Sequence, residues 1–218
     1  MKLSTRTIEV LRNFADINMS IWVDEGNKLR TVSASKTVLA SAEVSEEFDT
    51  PFGIYDLKEF LSALGLVEDA EIEFGDSSLK LKNASSSLGY RYASKELIVT
   101  PPAKDLPVPE SNVTFKLGKE SLKKVMQAAR VLMRPNIVVK AEGGEIVLIA
   151  TDVKNSLTNT YSETVSSDYG GPDVESVISV DNMKMMMLNY DVTVGDRYVA
   201  FVSEESGTKY FIATETPS

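Results

Sequence analysis

Residues 52–64 read Phe52-Gly53-Ile54-Tyr55-Asp56-Leu57-Lys58-Glu59-Phe60-Leu61-Ser62-Ala63-Leu64, an extended run followed by a short apolar helix. Residues 177–188 have the same order and read Val177-Ile178-Ser179-Val180-Asp181-Asn182-Met183-Lys184-Met185-Met186-Met187-Leu188. Each helix is expected to begin at a side chain that can accept hydrogen bonds from free helix amides, Asp56 in the first stretch and Asp181 or Asn182 in the second. The two stretches therefore predict one structural unit that occurs twice.

The elements around the two stretches follow a common order. A longer amphipathic helix and several alternating runs precede each stretch, and two or three further alternating runs follow it. The predicted helices cover residues 5–14, 57–64, 119–133 and 183–188. The predicted strands cover residues 20–23, 29–33, 37–44, 71–74, 79–81 and 90–92 in the first half, and 113–117, 137–140, 145–150, 158–165, 177–181, 192–194, 198–203 and 210–213 in the second.

This organisation predicts an α+β fold of two duplicated domains, each with two helices on an antiparallel sheet. The domains cover residues 1–93 and 113–218, a size that suits a small domain core. Residues 94–112 between them are rich in proline, which cannot donate to a sheet ladder, so this segment is expected to be an extended connector. Duplicated domains often build symmetric assemblies.

The connector is unusually apolar for a free linker. Its apolar side chains either pack back on the domains or form one wall of a groove that captures a partner peptide. The candidate partner-binding residues are Leu97, Ile98, Val99, Leu106 and Val108.

The composition argues against catalysis. The chain has 218 residues, of which 43% are hydrophobic, and it contains neither cysteine nor histidine. Thiol nucleophiles, thiolate metal sites and histidine proton shuttles are therefore excluded. The sequence has no phosphate-binding loop and no compact acidic cluster, and Glu46-Glu47 is typical of a solvated turn. We predict that the protein is not an enzyme and has no catalytic residue, metal site or cofactor.

No apolar run approaches the ~20 residues of a membrane span, and the first residues lack the apolar core of a signal peptide. We therefore expect a soluble intracellular protein that does not interact with membranes.

Basic residues concentrate on the outer faces of the predicted helices, although 32 acidic residues against 23 basic ones give a net charge of −9. They either solubilise these faces, or line an electropositive surface that contacts DNA phosphates without reading bases. Glu9 and Asp16 in the first helix weaken the second interpretation, and the one-sided third helix supports it. The candidate DNA-facing residues are Arg6, Arg12, Lys58, Lys123, Lys124, Arg130 and Lys184.

Helical spacing also predicts which side chains of these helices are buried. In the third helix the predicted buried residues are Leu122, Val125, Met126, Ala129 and Met133. In the fourth they are Met183, Met186 and Met187, at the places of Leu57, Phe60 and Leu61 in the second helix.

Several stretches, taken in order, resemble the sliding clamps of large myovirus-type bacteriophages over essentially the whole chain. They are Lys2-Leu3-Ser4, Leu11-Arg12-Asn13-Phe14-Ala15, Ile17-Asn18, Ile54-Tyr55-Asp56-Leu57, Phe60-Leu61, Leu66-Val67, Asn182-Met183-Lys184-Met185 and Asn189-Tyr190. These are mostly packing residues, so the resemblance depends on their joint order.

The resemblance implies a DNA-clamp fold that assembles as a homotrimeric ring with pseudo-six-fold symmetry. Duplex DNA would pass through a hole lined by helices, and a clamp-loader ATPase would open and close the ring. The clamp would tether the replicative DNA polymerase, and in such phages it also supports late transcription. The basic residues of the first and third helices match those that face DNA in the family, and edge strands of neighbouring subunits are expected to pair. Such a protein acts in the cytoplasm of the infected bacterium.

Two other functions remain open from the residues alone. A monomeric polymerase processivity factor of the same duplicated fold could hold DNA on an open surface, although a net charge of −9 disfavours this because its affinity would depend on phosphate contacts alone. A metal-dependent phosphoryl-transfer enzyme that uses carboxylates is the third alternative.

Overall fold

The computed structural model describes residues 1–111 and 113–215, which form two compact units. The first unit covers Met1–Ala103, and the second begins at Lys104. The proposed division at residues 93 and 113 stays a prediction, since the two ends of the connector belong to different units.

The first unit consists of two α-helices and seven short strands. The helices are α1 (Thr5–Ile17) and α2 (Leu57–Leu66). The strands are β1 (Ile21–Val23), β2 (Gly26–Val32), β3 (Val38–Phe48), β4 (Phe52–Ile54), β5 (Glu71–Phe74), β6 (Ser78–Lys82) and β7 (Ser87–Arg91). All pairs are antiparallel: β1 pairs with β4, β2 with β3, and β6 lies between β5 and β7.

The second unit has one α-helix, α3 (Lys119–Leu132), and eight strands. The strands are β8 (Thr114–Leu117), β9 (Asn136–Glu142), β10 (Glu145–Thr151), β11 (Tyr161–Ser166), β12 (Val174–Ser179), β13 (Tyr190–Val194), β14 (Tyr198–Ser203) and β15 (Thr208–Ala213). One antiparallel sheet has the order β11-β10-β9-β12, and β15, β14, β13 and β8 are paired in that order.

The two units repeat the same order of elements, as the sequence predicts. Helix α1 and strands β1–β4 of the first unit correspond to α3 and β9–β12 of the second, and β5–β7 correspond to β13–β15. The likeness extends to the first residue. Ile72 on β5 exchanges backbone hydrogen bonds with Met1, as β13 pairs with β8 in the second unit.

Helix α1 begins at a capped residue and buries one apolar side. The Ser4 hydroxyl accepts a hydrogen bond from the Thr7 amide (3.1 Å), which satisfies one of the free donors of the first turn. Val10, Leu11 and Phe14 are buried on the side that faces the unit's core. The predicted helix over residues 5–14 is thus confirmed, with one further turn.

Glu46 contradicts the expectation that Glu46-Glu47 forms a solvated turn. It lies on β3 with only 8% of its surface exposed, between the inward positions of Val44 and Phe48. Its carboxylate accepts hydrogen bonds from the Ser4 amide and from the Thr7 hydroxyl (2.5 Å). Burial raises the pKa of Glu46, but these hydrogen bonds stabilise the ionised form more, and its pKa lies below the usual value.

Glu46→Gln is expected to lower the free energy of unfolding at neutral pH by about 1–3 kcal/mol, because a charged acceptor of three hydrogen bonds, from the Ser4 amide and the Thr7 and Ser45 hydroxyls, is lost. The folded-state pKa is below the unfolded value of 4.5, so the stabilisation is present above pH 4.5 and is lost as pH falls through the folded pKa. Urea unfolding of both proteins between pH 7 and pH 3 should show the difference shrinking at low pH. A difference that is constant across this range would contradict the assignment.

The predicted fourth helix over residues 183–188 is wrong. The chain forms only a 3-10 turn, Val180–Asn182, before β13. The backbone of Met186 is instead held by two tyrosines: its amide donates to the Tyr210 hydroxyl (3.3 Å), and its carbonyl accepts from the Tyr190 hydroxyl (2.6 Å). Asp181 and Asn182 therefore cap no α-helix, whereas Asp56 caps α2 by accepting from the Glu59 amide (2.9 Å).

Burial in the methionine segment does not follow helical spacing. Met183 and Met185 are buried, while Met186 and Met187 are half-buried, so the predicted set of Met183, Met186 and Met187 is only partly right. In α3 the stripe of Leu122, Val125 and Ala129 is buried as predicted and Met126 is half-buried. Met133 is 85% exposed, because the helix ends before it and its backbone is left-handed (φ 54°).

Candidate nucleic-acid interface and partner-binding surface

The predicted DNA-facing side chains of the first unit lie on its two helices. Arg12 on α1 and Lys58 on α2 are exposed, and Arg6 is half-buried. The Lys58 ammonium lies 3.2 Å from the carboxylate of Asp16, and both side chains are more than 60% exposed. An ion pair this exposed contributes little energy, so Lys58 can exchange Asp16 for a phosphate at small cost.

Helix α3 carries the corresponding residues of the second unit. Lys123, Lys124 and Arg130 are exposed, on the helix face opposite the buried stripe that packs on β9, β10 and β11. Gln127 is also exposed on this side, and Glu120 in the first turn is the only acid of the helix. The outer face of α3 is therefore mainly cationic, with Glu120 as its one acid, although the protein carries a net charge of −9.

One acid that the sequence did not single out lies beside this face. Glu163 on β11 accepts hydrogen bonds from the Ser121 hydroxyl (3.0 Å), the Lys124 ammonium (3.3 Å) and the Tyr161 hydroxyl (2.6 Å). The Tyr161 hydrogen bond is the main cause that holds the pKa of Glu163 below its usual value. Only the packing of α3 on β11 brings these residues together, so the linear sequence carries no signal for the cluster.

Lys184 is exposed, but it does not lie on a helix. It stands between the buried side chains of Met183 and Met185 in the segment that precedes β13. The prediction that a fourth helix presents Lys184 is therefore wrong, although its side chain is exposed.

Exposed lysines and arginines on helices suit phosphate contacts, which fix position without reading base sequence. No cluster of three or more histidine, cysteine, aspartate or glutamate side chains that could hold a metal ion occurs in residues 1–111 and 113–215. Among the same residues no helix is long and apolar enough to cross a membrane.

The first part of the connector packs against its own unit at Gly53. The Ala93 amide donates to the Gly53 carbonyl (2.9 Å), and Ile98 is only 6% exposed, with its side chain against Gly53. Ile98 is therefore a core residue, and its assignment as a partner-binding residue is wrong. Leu97 (64% exposed) and Val99 (41%) point outward and remain candidates.

Trp22 fixes the beginning of the connector from the other side. The Lys95 ammonium lies 5.0 Å from the centre of the Trp22 ring, and the indole N–H donates to Asp24 (2.9 Å). Lys95 also lies 3.8 Å from the Asp24 carboxylate. The two contacts of Lys95 join residues that are more than 70 positions apart in the chain.

The second part of the connector packs against the second unit. The Tyr198 hydroxyl donates to the Pro107 carbonyl (2.8 Å), and Pro109 lies against Gly195. Leu106 is half-buried and Val108 is 46% exposed, so of these two Val108 is the better partner-binding candidate.

A groove of about 680 Å³ lies in the second unit, along the edge of β12. The backbone amide of Glu215 donates to the carbonyl of Val177 (2.8 Å), within this edge. The hydroxyl of Ser176 is buried in the wall and has no hydrogen-bond partner among the described residues. The lining residues are Ser111, Val153, Lys154, Val174–Val177, Val194, Gly195, Asp196, Thr214 and Glu215. Sequence reasoning missed this groove because it is built from five separate segments.

A family model and relatives with known names indicate the same kind of protein. A family model described as DNA polymerase processivity factor matches residues 2–100. A relative from Escherichia phage RB69, named sliding clamp, is 35% identical over 226 residues that cover 100% of this chain and 98% of the relative. A second sliding clamp, from Vibrio phage KVP40, is 32% identical and covers 99% of both chains.

Among solved structures, the A. fulgidus PCNA bound to the C-terminal region of FEN-1 is similar to this chain with a TM-score of 0.75. The match covers 99% of this chain and 98% of that one at 15% sequence identity, so it shows a common fold. The three helices and antiparallel sheets of the present chain are those of this clamp fold.

Proposed function

This chain belongs to the sliding-clamp family of large myovirus-type bacteriophages, and on this premise we propose that three copies of it close into a ring around duplex DNA. Members of this family are DNA polymerase processivity factors and are not catalytic. The observation that carries the proposal is the cationic outer face of α3 on a protein whose net charge is −9. A local cationic face binds phosphate weakly. Encirclement would then keep the protein on DNA, which this weak affinity for phosphate alone would not do.

The residues proposed to contact DNA are those of the helical faces together with Lys184. Arg12, Lys123 and Arg130 are exposed and form the centre of this set. Arg6, Lys58, Lys124 and Lys184 complete it. Contacts of this kind depend on salt and not on base sequence, so the ring would slide.

Ring closure would use the open edges of two sheets. In the first unit β5 is already bonded to Met1, which leaves β7 as the open edge of its sheet. In the second unit Glu215 bonds to Val177 within β12, which leaves β11 as the more open edge. We propose that β7 of one subunit pairs with β11 of the next, so that six similar units form a pseudo-six-fold ring.

The ring would tether the replicative DNA polymerase through a peptide segment of that enzyme. Exposed Leu97, Val99 and Val108 on the connector and the groove along β12 are the proposed contacts, because an open strand edge and an unpartnered Ser176 hydroxyl suit an extended peptide. Tethering raises the effective concentration of polymerase at the primer end without any new base contact.

The remaining partners follow from the family. A closed ring needs a clamp-loader ATPase to pass DNA, and the proposed place of action is the cytoplasm of the infected bacterium. A role in late transcription, through factors that dock on the same surfaces, belongs to the same proposal.

The solution mass tests the ring directly. We expect light scattering behind size exclusion to give the mass of three 23.9 kDa subunits, with dissociation only on strong dilution. Backbone pairing of β7 with β11 is insensitive to salt, so the trimer should persist when the salt concentration is raised. A strict monomer at all concentrations would replace the ring with a processivity factor that binds DNA on an open surface.

A further inference from the structure

Glu163 combines a fixed negative charge with a position beside the cationic face of α3. Its side chain is 16% exposed and is held by Tyr161 and Ser121, two groups that do not depend on Lys124. The Lys124 side chain is 60% exposed, so its ammonium reaches solvent while it contacts the carboxylate at 3.3 Å. The Glu163 carboxylate is thus held in place, whereas the Lys124 ammonium can contact either this carboxylate or another anion.

The charge on Glu163 is present at neutral pH. The hydrogen bonds from Tyr161, Ser121 and Lys124 all favour the ionised form, and its pKa is lowered. Lys140 and Glu142 form a comparable ion pair, on the face of β9 that points away from α3. Two ion pairs of the same kind therefore lie on opposite faces of one sheet, and only one of them adjoins α3.

We propose that Glu163 weakens the hold of the ring on DNA by competing with phosphate for Lys124, so that it sets the sliding behaviour of the clamp. This inference rests on the proposed passage of DNA along α3. A phosphate that contacts Lys124 must replace the Glu163 carboxylate as its partner. The same carboxylate also repels phosphates within the ~10 Å screening length at 0.1 M salt.

A purely structural role is the competing explanation, since Glu163 joins β11 to α3 through Ser121. Glu163→Gln separates the two roles. The glutamine amide can still accept from Tyr161 and donate to the Ser121 oxygen, so the packing of α3 on β11 is kept. Only the negative charge is removed, and Lys124 is released.

The test measures binding of the trimer to a short fluorescent duplex by anisotropy over a series of salt concentrations. We expect Glu163→Gln to bind roughly three- to tenfold more tightly at 0.1 M salt, with a log–log salt slope steeper by about 0.9 for each released lysine that gains a phosphate. Lys124→Gln should bind more weakly than the wild type, and Lys124→Gln with Glu163→Gln should lose most of the gain.

Glu142→Gln is the matched control, because it makes the same change in net charge and breaks the Lys140 pair on the other face of the sheet. If Glu142→Gln tightens binding as much as Glu163→Gln, or if Glu163→Gln binds no more tightly than the wild type, the inference is overturned. Failure of the ring itself is a different result: the wild type would then be a monomer in light scattering, or would bind no duplex at any salt concentration.

Discussion

Replacing Lys123 and Arg130 with alanine is expected to leave the proposed trimer intact and to lower its affinity for duplex DNA by roughly 10²–10³-fold. Both side chains are exposed on α3, and neither contributes to the buried stripe of that helix. Alanine is a better helix former than lysine or arginine, so α3 should not be weakened. Three subunits would lose six charges, and the log–log salt slope should become shallower by about 5.

The measurement is duplex anisotropy over a salt series, followed by loader-dependent primer extension. The matched control replaces Lys116 and Lys209, which are exposed on strands β8 and β15 of the same unit, with alanine. This control removes equal charge away from α3 and should retain most of the affinity. Equal loss of affinity for DNA in both variants would show that the net charge determines binding, whatever the position of the basic residues. Loss of the trimer in the first variant would show that Lys123 or Arg130 supports the assembly.

Gly53→Ala is expected to lower the free energy of unfolding by about 3 kcal/mol, because the added methyl group has no room. Its Cβ would lie 2.5 Å from the Ala93 carbonyl oxygen and 2.7 Å from the Ile98 side chain. The first of these is backbone, which is held by the hydrogen bond from the Ala93 amide to the Gly53 carbonyl. The connector must move away from β4 or the strand must distort.

Thermal unfolding gives the comparison, and a loss of this size should lower the melting temperature by roughly 6–12 °C. Gly65→Ala is the control, since nothing lies within 4 Å of its Cβ position and the residue is in α2. Alanine should stabilise that helix by up to about 1 kcal/mol. If Gly53→Ala unfolds at the wild-type temperature, the connector does not pack on Gly53.

Local signals predicted the elements that depend on local interactions. An apolar stripe marks α1 and α2, Asp56 also marks the beginning of α2, and both helices are confirmed. The segment after Val180 has the same kind of pattern but folds differently, because hydroxyls of Tyr190 and Tyr210 take the backbone groups of Met186. One of these tyrosines is 24 residues away, and nothing near Met186 indicates it.

In the candidate site too, local patterns predict some features, and others depend on residues distant in the sequence. Exposure of Lys123, Lys124 and Arg130 follows from helical spacing. Burial of Glu46 could also have been predicted, because it shares the inward parity of Val44 and Phe48 on β3. The contact of Lys124 with Glu163 depends on which strand packs against α3. Helical or strand periodicity does not predict which strand that is.

Trp22 is the only tryptophan of the chain, and it lies where the connector leaves the first unit. An ammonium group over an indole ring, as Lys95 is here, changes the fluorescence of the ring. The protein thus contains one natural optical reporter, placed against the beginning of the connector that the polymerase is proposed to touch. Ring opening, partner docking and release can therefore be timed in the unlabelled wild-type protein by stopped-flow emission, whenever they displace Lys95.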